Sequence, residues 1–298
     1  MRVRILAADS MGVRSLATVV EACGLVVGVD LGASIAPRRY GLPPHPLELE
    51  RLERARERAL DWIRESHVVI VTHYHYDHYM PSNPEAYIGR TLLVKHPLQD
   101  INFSQKKRSY AFLKKTGLEE KAVVHYADSR SFVFDSLKIE FSPPVWHGEP
   151  GTKLGKVLMA RIECEGESMV FASDVQGPSD PVAVDTLVKW LRGGAGQVII
   201  AGPPTYFAGF KVSVESVEMG LKGLLYIVKT GRPGTLVVDH HLLRDINYVD
   251  KIREHLEAAS RLGVRLVTAA EYMGVPVEQL EARRRELWRG EPAKSGAS

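Results

Sequence analysis

The run Val68-Val-Ile-Val-Thr72 is continuous, apolar and β-branched, the pattern of a strand covered on both faces. It leads directly into His73-Tyr74-His75-Tyr76-Asp77-His78, so four metal-ligating residues fall within six positions. Alternate residues of an extended chain point the same way, which puts His73 and His75 on one face. Once the chain turns, Asp77 and His78 can face back into the same cleft. Two imidazoles from a strand end, with a carboxylate and an imidazole from the turn, suit one or two borderline cations such as zinc. Three histidines in an ordinary exposed loop would have no reason to follow a buried strand in this order.

A metal site needs further ligands and a position left open for water. Three later candidates each follow a strand-like run. His147 stands in Ser142-Pro-Pro-Val-Trp-His147-Gly148, Asp174 follows Met169-Val-Phe-Ala-Ser173, and His240 and His241 follow Thr235-Leu-Val-Val-Asp239. An earlier strand candidate ends in Val29-Asp30-Leu31-Gly32, again with a carboxylate at its tip.

This set resembles the metallo-β-lactamase superfamily, whose signature is HxHxDH followed by a histidine, an aspartate and a last histidine. The resemblance runs from about Ala7 to His241 and implies a four-layer αββα sandwich with its site at one rim of the sheets. It is similar to an uncharacterised branch of predicted hydrolases bearing DHHLLRD, here Asp239 to Asp245. The resemblance implies that His73, His75 and His147 hold one metal, that Asp77, His78 and the last histidine hold a second, and that Asp174 bridges them. The family's last ligand usually comes first after the strand, which favours His240 over His241. Asp30 and Asp239 would orient histidine ligands through their free ring nitrogens, with His241 beside them. Two departures stand out. The motif continues with Tyr79-Met-Pro-Ser-Asn-Pro84 instead of small residues opening a helix, and no long protruding arm of the tRNA-processing type is present.

Two cations held close together would activate a shared water or hydroxide and stabilise a leaving oxygen, with Asp77 and Asp174 orienting the nucleophile. GxSxG and a Walker-type loop are absent, so no side-chain nucleophile or phosphate loop competes with this reading. The fold alone does not select the substrate. The first expectation is a phosphodiesterase with nucleic acid as a candidate substrate, Lys106, Lys107 and Arg108 meeting the phosphate backbone and Tyr110 and Phe112 interleaved. Hydrolysis of a small ester, lactone or thioester is the second. The third is a non-catalytic metal-binding sensor or assembly protein, its site occluded by Tyr74, Tyr76 and Tyr79. The native metals are expected to be two divalent ions, zinc first, with manganese or iron as alternatives.

The rest of the chain alternates strands and helices with no repeat or low-complexity linker, which suggests one domain over residues 1–293 and a frayed tail at 294–298. Helices are expected over Leu47–Glu65, Ile101–Thr116, Pro181–Arg192, Val212–Lys229 and Asn247–Arg261, and Lys156–Glu163 as a single strand. At 298 residues and 45% hydrophobic, the chain can bury a sizeable core. A net charge of +3 does not by itself announce a nucleic-acid binder. The basic stretches 105–121 and Glu281–Lys294 read as solvated helix faces or phosphate-binding faces. No apolar run is long enough to span a membrane and no signal peptide opens the chain, so a cytoplasmic location is expected. Cys23 and Cys164 are isolated and read as small core residues outside any disulfide or thiolate site. Asn (3) and Gln (5) are scarce, which suggests a thermophilic source. The sequence leaves oligomeric state open.

Overall fold

The computed structural model describes residues 1–194 and 196–290; the expected tail at 294–298 lies outside them. The first sheet runs β1 (Arg2–Ala8), β2 (Leu16–Ala22), β3 (Leu25–Val29), β4 (Val68–Val71), β5 (Thr91–Val94), β6 (Val123–Tyr126) in spatial order. The β1–β2 and β2–β3 pairs are antiparallel hairpins, and β3 to β6 are parallel. The remaining strands are β7 (Ser131–Phe134), β8 (Leu137–Phe141), β9 (Val145–Trp146), β10 (Lys156–Val157), β11 (Ala160–Cys164), β12 (Glu167–Ser173), β13 (Gln197–Ala201), β14 (Thr235–Asp239) and β15 (Arg265–Val267). β9 and β10 pair with each other; the others form the second sheet in the order β15-β14-β13-β12-β11-β8-β7. Its β12 to β15 half is parallel.

Strand alternation sorts the apolar residues into three cores. Val68 and Ile70 of β4 face the second sheet and join Ile139, Phe171, Ile199 and Val237 between the sheets. Val69 and Val71 face the other way, against Leu52, Ala59 and Ile63 of the helix Pro46–Glu65. On the outer side of the second sheet, Val198, Ile200 and Val238 pack with Leu187, Leu191 and Leu224 from the helices Pro181–Arg192 and Val214–Tyr226. Each such side chain contributes roughly 1.5–3 kcal/mol by leaving water. The result is the expected four-layer αββα sandwich. No helix among the described residues is long and apolar enough to cross a membrane.

Several local expectations need correction. The helix expected over Ile101–Thr116 is an α-helix at Phe103–Tyr110, capped by Asn102, that widens into a π-turn at Ala111–Lys115. The strand expected over Lys156–Glu163 breaks at Leu158–Met159 into β10 and β11, and the short β9 behind Pro143-Pro144 carries no clear strand pattern of its own. Cys23 and Cys164 are joined in a disulfide, with Cα atoms 5.9 Å apart, contrary to their reading as separate core residues. Cys23 sits in the β2–β3 hairpin turn and Cys164 ends β11, so the bond ties the first sheet to the second. A sequence separation of 141 hid a proximity that only the stacking of the sheets creates.

Candidate metal centre

β1, β3, β4, β12 and β14 all deliver their C-terminal ends to one rim of the sandwich. The chain must turn sharply there, and Asp30, Ser173 and His240 take left-handed conformations, with φ of 47°, 52° and 50°. Those turns aim the side chains that follow into a common space.

At its centre is Asp174. Its Oδ2 lies 3.0 Å from Nε2 of His147, 3.3 Å from that of His78, 3.5 Å from those of His240 and His241, and 3.7 Å from that of His73. His75 Nδ1 is 3.1 Å from His73 Nε2. Asp77 closes the other side, its Oδ2 3.5 Å from His240 Nε2 and its Oδ1 3.9 Å from His78 Nε2. His73, His75, His147 and Asp174 therefore present donor atoms to one point, and Asp77, His78 and His240 to a neighbouring one. His241 converges with His240 on Asp174, so both histidines after β14 reach the cluster.

His73, His78, His147 and His240 are held from behind. Asp30 Oδ2 lies 2.9 Å from His78 Nδ1 and accepts the Thr72 hydroxyl at 2.6 Å, while that hydroxyl is 3.0 Å from His73 Nδ1. One carboxylate thus orients two rings, directly and through Thr72. The Gln176 amide lies 3.2 Å from His147 Nδ1. Behind His240 stands Asp9, 2.5 Å from Nδ1, which also accepts a bond from Arg244 Nε at 3.0 Å. On these four rings Nδ1 is occupied and Nε2 is the nitrogen offered to the centre, whereas His75 turns its Nδ1 toward His73. Asp239, expected in this orienting role, does something else. Its oxygens accept backbone N–H groups of Ser10, His240 and Ala269 at 3.0, 2.7 and 2.9 Å, which fixes the turn and touches no ring.

The electrostatics describe a site built for cations. Burial opposes charge on His78 and His240, but the neighbouring carboxylates outweigh it: Asp174 and Asp30 hold His78 well above its ordinary value, and Asp174 and Asp9 push His240 up to about 9. Burial and adjacent imidazoles hold His73 well below the ordinary value and bring His75 to about 3, and burial with the Arg244 charge holds His241 well below it. Burial would raise the two central carboxyls, yet the histidines around them leave Asp77 at about 2 and Asp174 well below the usual range. His78 Nε2, His147 Nε2 and Asp174 Oδ1 are buried and lack a partner of hydrogen-bond geometry among the described residues. Buried polar atoms without partners are costly, and a divalent cation satisfies imidazole lone pairs and carboxylate oxygens together. The donor set fits such ions, whose uptake competes with protons for the same imidazole nitrogens.

The centre opens into a cleft of about 1070 Å³. Of the tyrosines expected to occlude it, Tyr74 and Tyr79 are buried in the core outside the first sheet, and only Tyr76 reaches the cleft wall. The basic trio divides as well. Arg108 lines the cleft, packed over the Tyr76 ring at 4.4 Å, while Lys106 and Lys107 are exposed away from it. Phe112 is a core residue. Sequence reasoning missed Asp9, Gln176 and Arg244. Asp9 alone had a readable signal, since it follows a strand that runs parallel in space to β3, as Asp30 does.

A sandwich that gathers these side chains from the strand ends of both sheets has the metallo-β-lactamase fold. Among solved structures it resembles unliganded yeast PDE1, with a TM-score of 0.55 and 11% identity over 89% of this chain and 96% of that one. It also resembles the isothiocyanate hydrolase from Delia radicum gut bacteria, with a TM-score of 0.53 and 18% identity over 85% and 94%. No family model matches the chain. The chain belongs to the UPF0282 proteins: it is 56% identical to the one from Aeropyrum pernix over 292 residues, 98% of this chain and 99% of that one. The UPF0282 protein of Methanopyrus kandleri is 40% identical over 300 residues, covering 96% and 99%.

Proposed function

We propose that this protein is a metal-dependent phosphodiesterase whose substrates include nucleic acid. The observation that carries the reading is the charge of the cleft above the donors. Arg108, Lys153 and Lys211 line it, and among the described residues none of the three pairs with a carboxylate. Uncommitted cations facing a metal centre focus anionic substrates, and a phosphodiester brings its charge to the reacting atom.

Two divalent cations, zinc in our reading with manganese or iron as alternatives, would be held by His73, His75 and His147 on one side and by Asp77, His78 and His240 on the other, with Asp174 between. When bound, such ions supply Lewis acidity toward a phosphoryl group and toward water. The chain's own part is positioning. Asp30, Thr72, Asp9 and Gln176 fix the ring orientations, so little reorganisation remains when substrate arrives. Asp77 reaches the cleft wall and, held ionised, can orient a water facing the substrate. The apolar Ile35, Leu154 and Phe207 shield the approach.

Protein reloaded with zinc or manganese should hydrolyse bis(p-nitrophenyl) phosphate, and Asp77→Ala should lose that turnover. Absence of turnover in protein shown to hold about two metals would remove the phosphodiesterase reading and turn attention to small esters, lactones and thioesters, or to a non-catalytic metal role.

A further inference from the structure

Beside the metal cleft, and sharing Arg14, Phe207 and Lys211 with it, lies a second cavity of about 360 Å³. It forms where the connector after β3 meets the loop after β13 and the short helix Arg284–Trp288. Its walls are basic and aromatic, and among the described residues no acidic side chain lines it. Arg39 is its buried strut. The guanidinium lies 3.7 Å from the centre of the Tyr206 ring, Nη2 donates to the Arg244 carbonyl at 2.6 Å, and Nη1 is 3.6 Å from Glu281. Arg39 Nε has no hydrogen-bond partner among the described residues. Arg14 is likewise committed to Glu281, at 2.6 and 2.7 Å.

The outer residues are uncommitted. Among the described residues, Arg38, Lys211 and Arg285 have no carboxylate partner within ion-pair distance. Arg285 lies over Tyr40 at 4.3 Å and Lys211 over Phe207 at 5.2 Å. Phe210 stacks on Phe207 with ring centres 6.3 Å apart, yet 70% of it is exposed to solvent. A large ring left in water between free cations gains nothing for the fold, but it offers a face on which a base can stack while the cations take the flanking phosphates.

We infer that this cavity is a binding site for single-stranded nucleic acid, with a base stacked on Phe210 and phosphates on Arg38, Arg285 and Lys211. The strand would continue past Lys211 into the metal cleft, a direction that rests on the phosphodiesterase reading; the binding itself does not. Unstacked bases are what an exposed ring can capture, so a duplex, whose bases are already stacked, is the poorer ligand.

The test is fluorescence anisotropy of a labelled single-stranded oligonucleotide of about ten nucleotides on zinc-loaded protein across a range of salt. Phe210→Ala should weaken binding roughly tenfold with the salt slope kept. The double variant Arg38→Ala, Arg285→Ala should weaken binding and reduce the slope by about 1.4, near 0.7 for each phosphate left without its arginine. Lys189→Ala with Arg192→Ala removes the same charge from the helix Pro181–Arg192, which lines neither cavity, and should bind as the parent does. All substituted positions are exposed, and thermal melting checks that each variant folds. Parent-like binding by the Phe210 and arginine variants overturns the assignment. So does equal weakening by the control pair, or equal competition by a duplex of the same sequence. Hydrolysis of bis(p-nitrophenyl) phosphate separates the two proposals. Strand binding that depends on these residues without any hydrolysis leaves the site standing and removes the phosphodiesterase. Metal-dependent hydrolysis with binding indifferent to them does the reverse.

Discussion

Asp9 shows how a single side chain tunes a candidate donor from behind. Its carboxylate sits behind His240 and is itself gripped by Arg244 Nε at 3.0 Å, so ring, carboxylate and guanidinium form one buried unit. Asp9→Asn keeps the shape but removes the negative charge that favours a basic, correctly oriented imidazole. We expect metal affinity to fall roughly 10- to 100-fold with the fold intact, as for other partners behind metal-bound histidines. Competition with a chromophoric zinc chelator measures this, and an unchanged affinity would assign the hold on His240 to Arg244 alone. The convergence of the candidate donors was legible, because HxHxDH compresses four of them into one segment and the later histidines and aspartate each follow an apolar run. Their supports were not. Gln176 and Arg244 act at a distance no sequence spacing encodes, and Asp239, which has the look of an orienting carboxylate, is spent on backbone amides.

Between elements, the metal centre depends on how closely the loop after β3 approaches the loop after β4. Gly32 is the point of contact: a Cβ there would stand 2.2 Å from the Tyr79 nitrogen and 2.7 Å from the His78 carbonyl carbon. Both neighbours are backbone, so nothing flexible can yield. Gly32→Ala must push the Asp77–His78 turn outward, at a cost of about 1–3 kcal/mol. His147 and Asp174 lie on other segments, and His73 and His75 precede the turn at the end of β4, so their donor group should be disturbed less. Elemental analysis of the purified variant should therefore show metal content falling from about two ions to about one, and two ions with an unchanged melting temperature would refute the argument. Most elements were readable from period and punctuation. The exceptions have local causes: a π-turn leaves helical periodicity nearly unaltered, so Ala111–Lys115 looks like more α-helix, and apolar Leu158 and Met159 disguise the break between β10 and β11.

For the whole molecule, the long-range ties were the least legible, because partners far apart in sequence leave no local pattern. The disulfide is one. Another is the arginine-rich C-terminal stretch, read as a solvated or phosphate-binding face, where Glu281 and Arg284 insert into the fold while Arg285 stays exposed. Arg284 and Glu48 are fully buried, paired at 2.7 Å, and Arg284 also donates to the Ala36 carbonyl at 2.9 Å. Glu281 meets Arg14 through two bonds and stands near Arg39, clamping the C-terminal segment over the rim that carries both cavities. Burial would raise the Glu281 carboxyl, but its hydrogen bonds to Arg14 and the surrounding guanidinium charge outweigh that and bring it from 4.5 to about 2. A carboxyl whose folded-state value lies below its unfolded one stabilises the fold fully above the unfolded value and loses that contribution as pH falls towards the folded one. The contribution, on the order of 3 kcal/mol at neutral pH, should therefore drain away between pH 4.5 and about 2. Glu281→Gln should melt well below the parent at neutral pH, and the two curves should converge as the medium is acidified through that window. Urea denaturation of both proteins on either side of the window decides the matter: a gap that stays constant would show that Glu281 acts through packing and not through its charge.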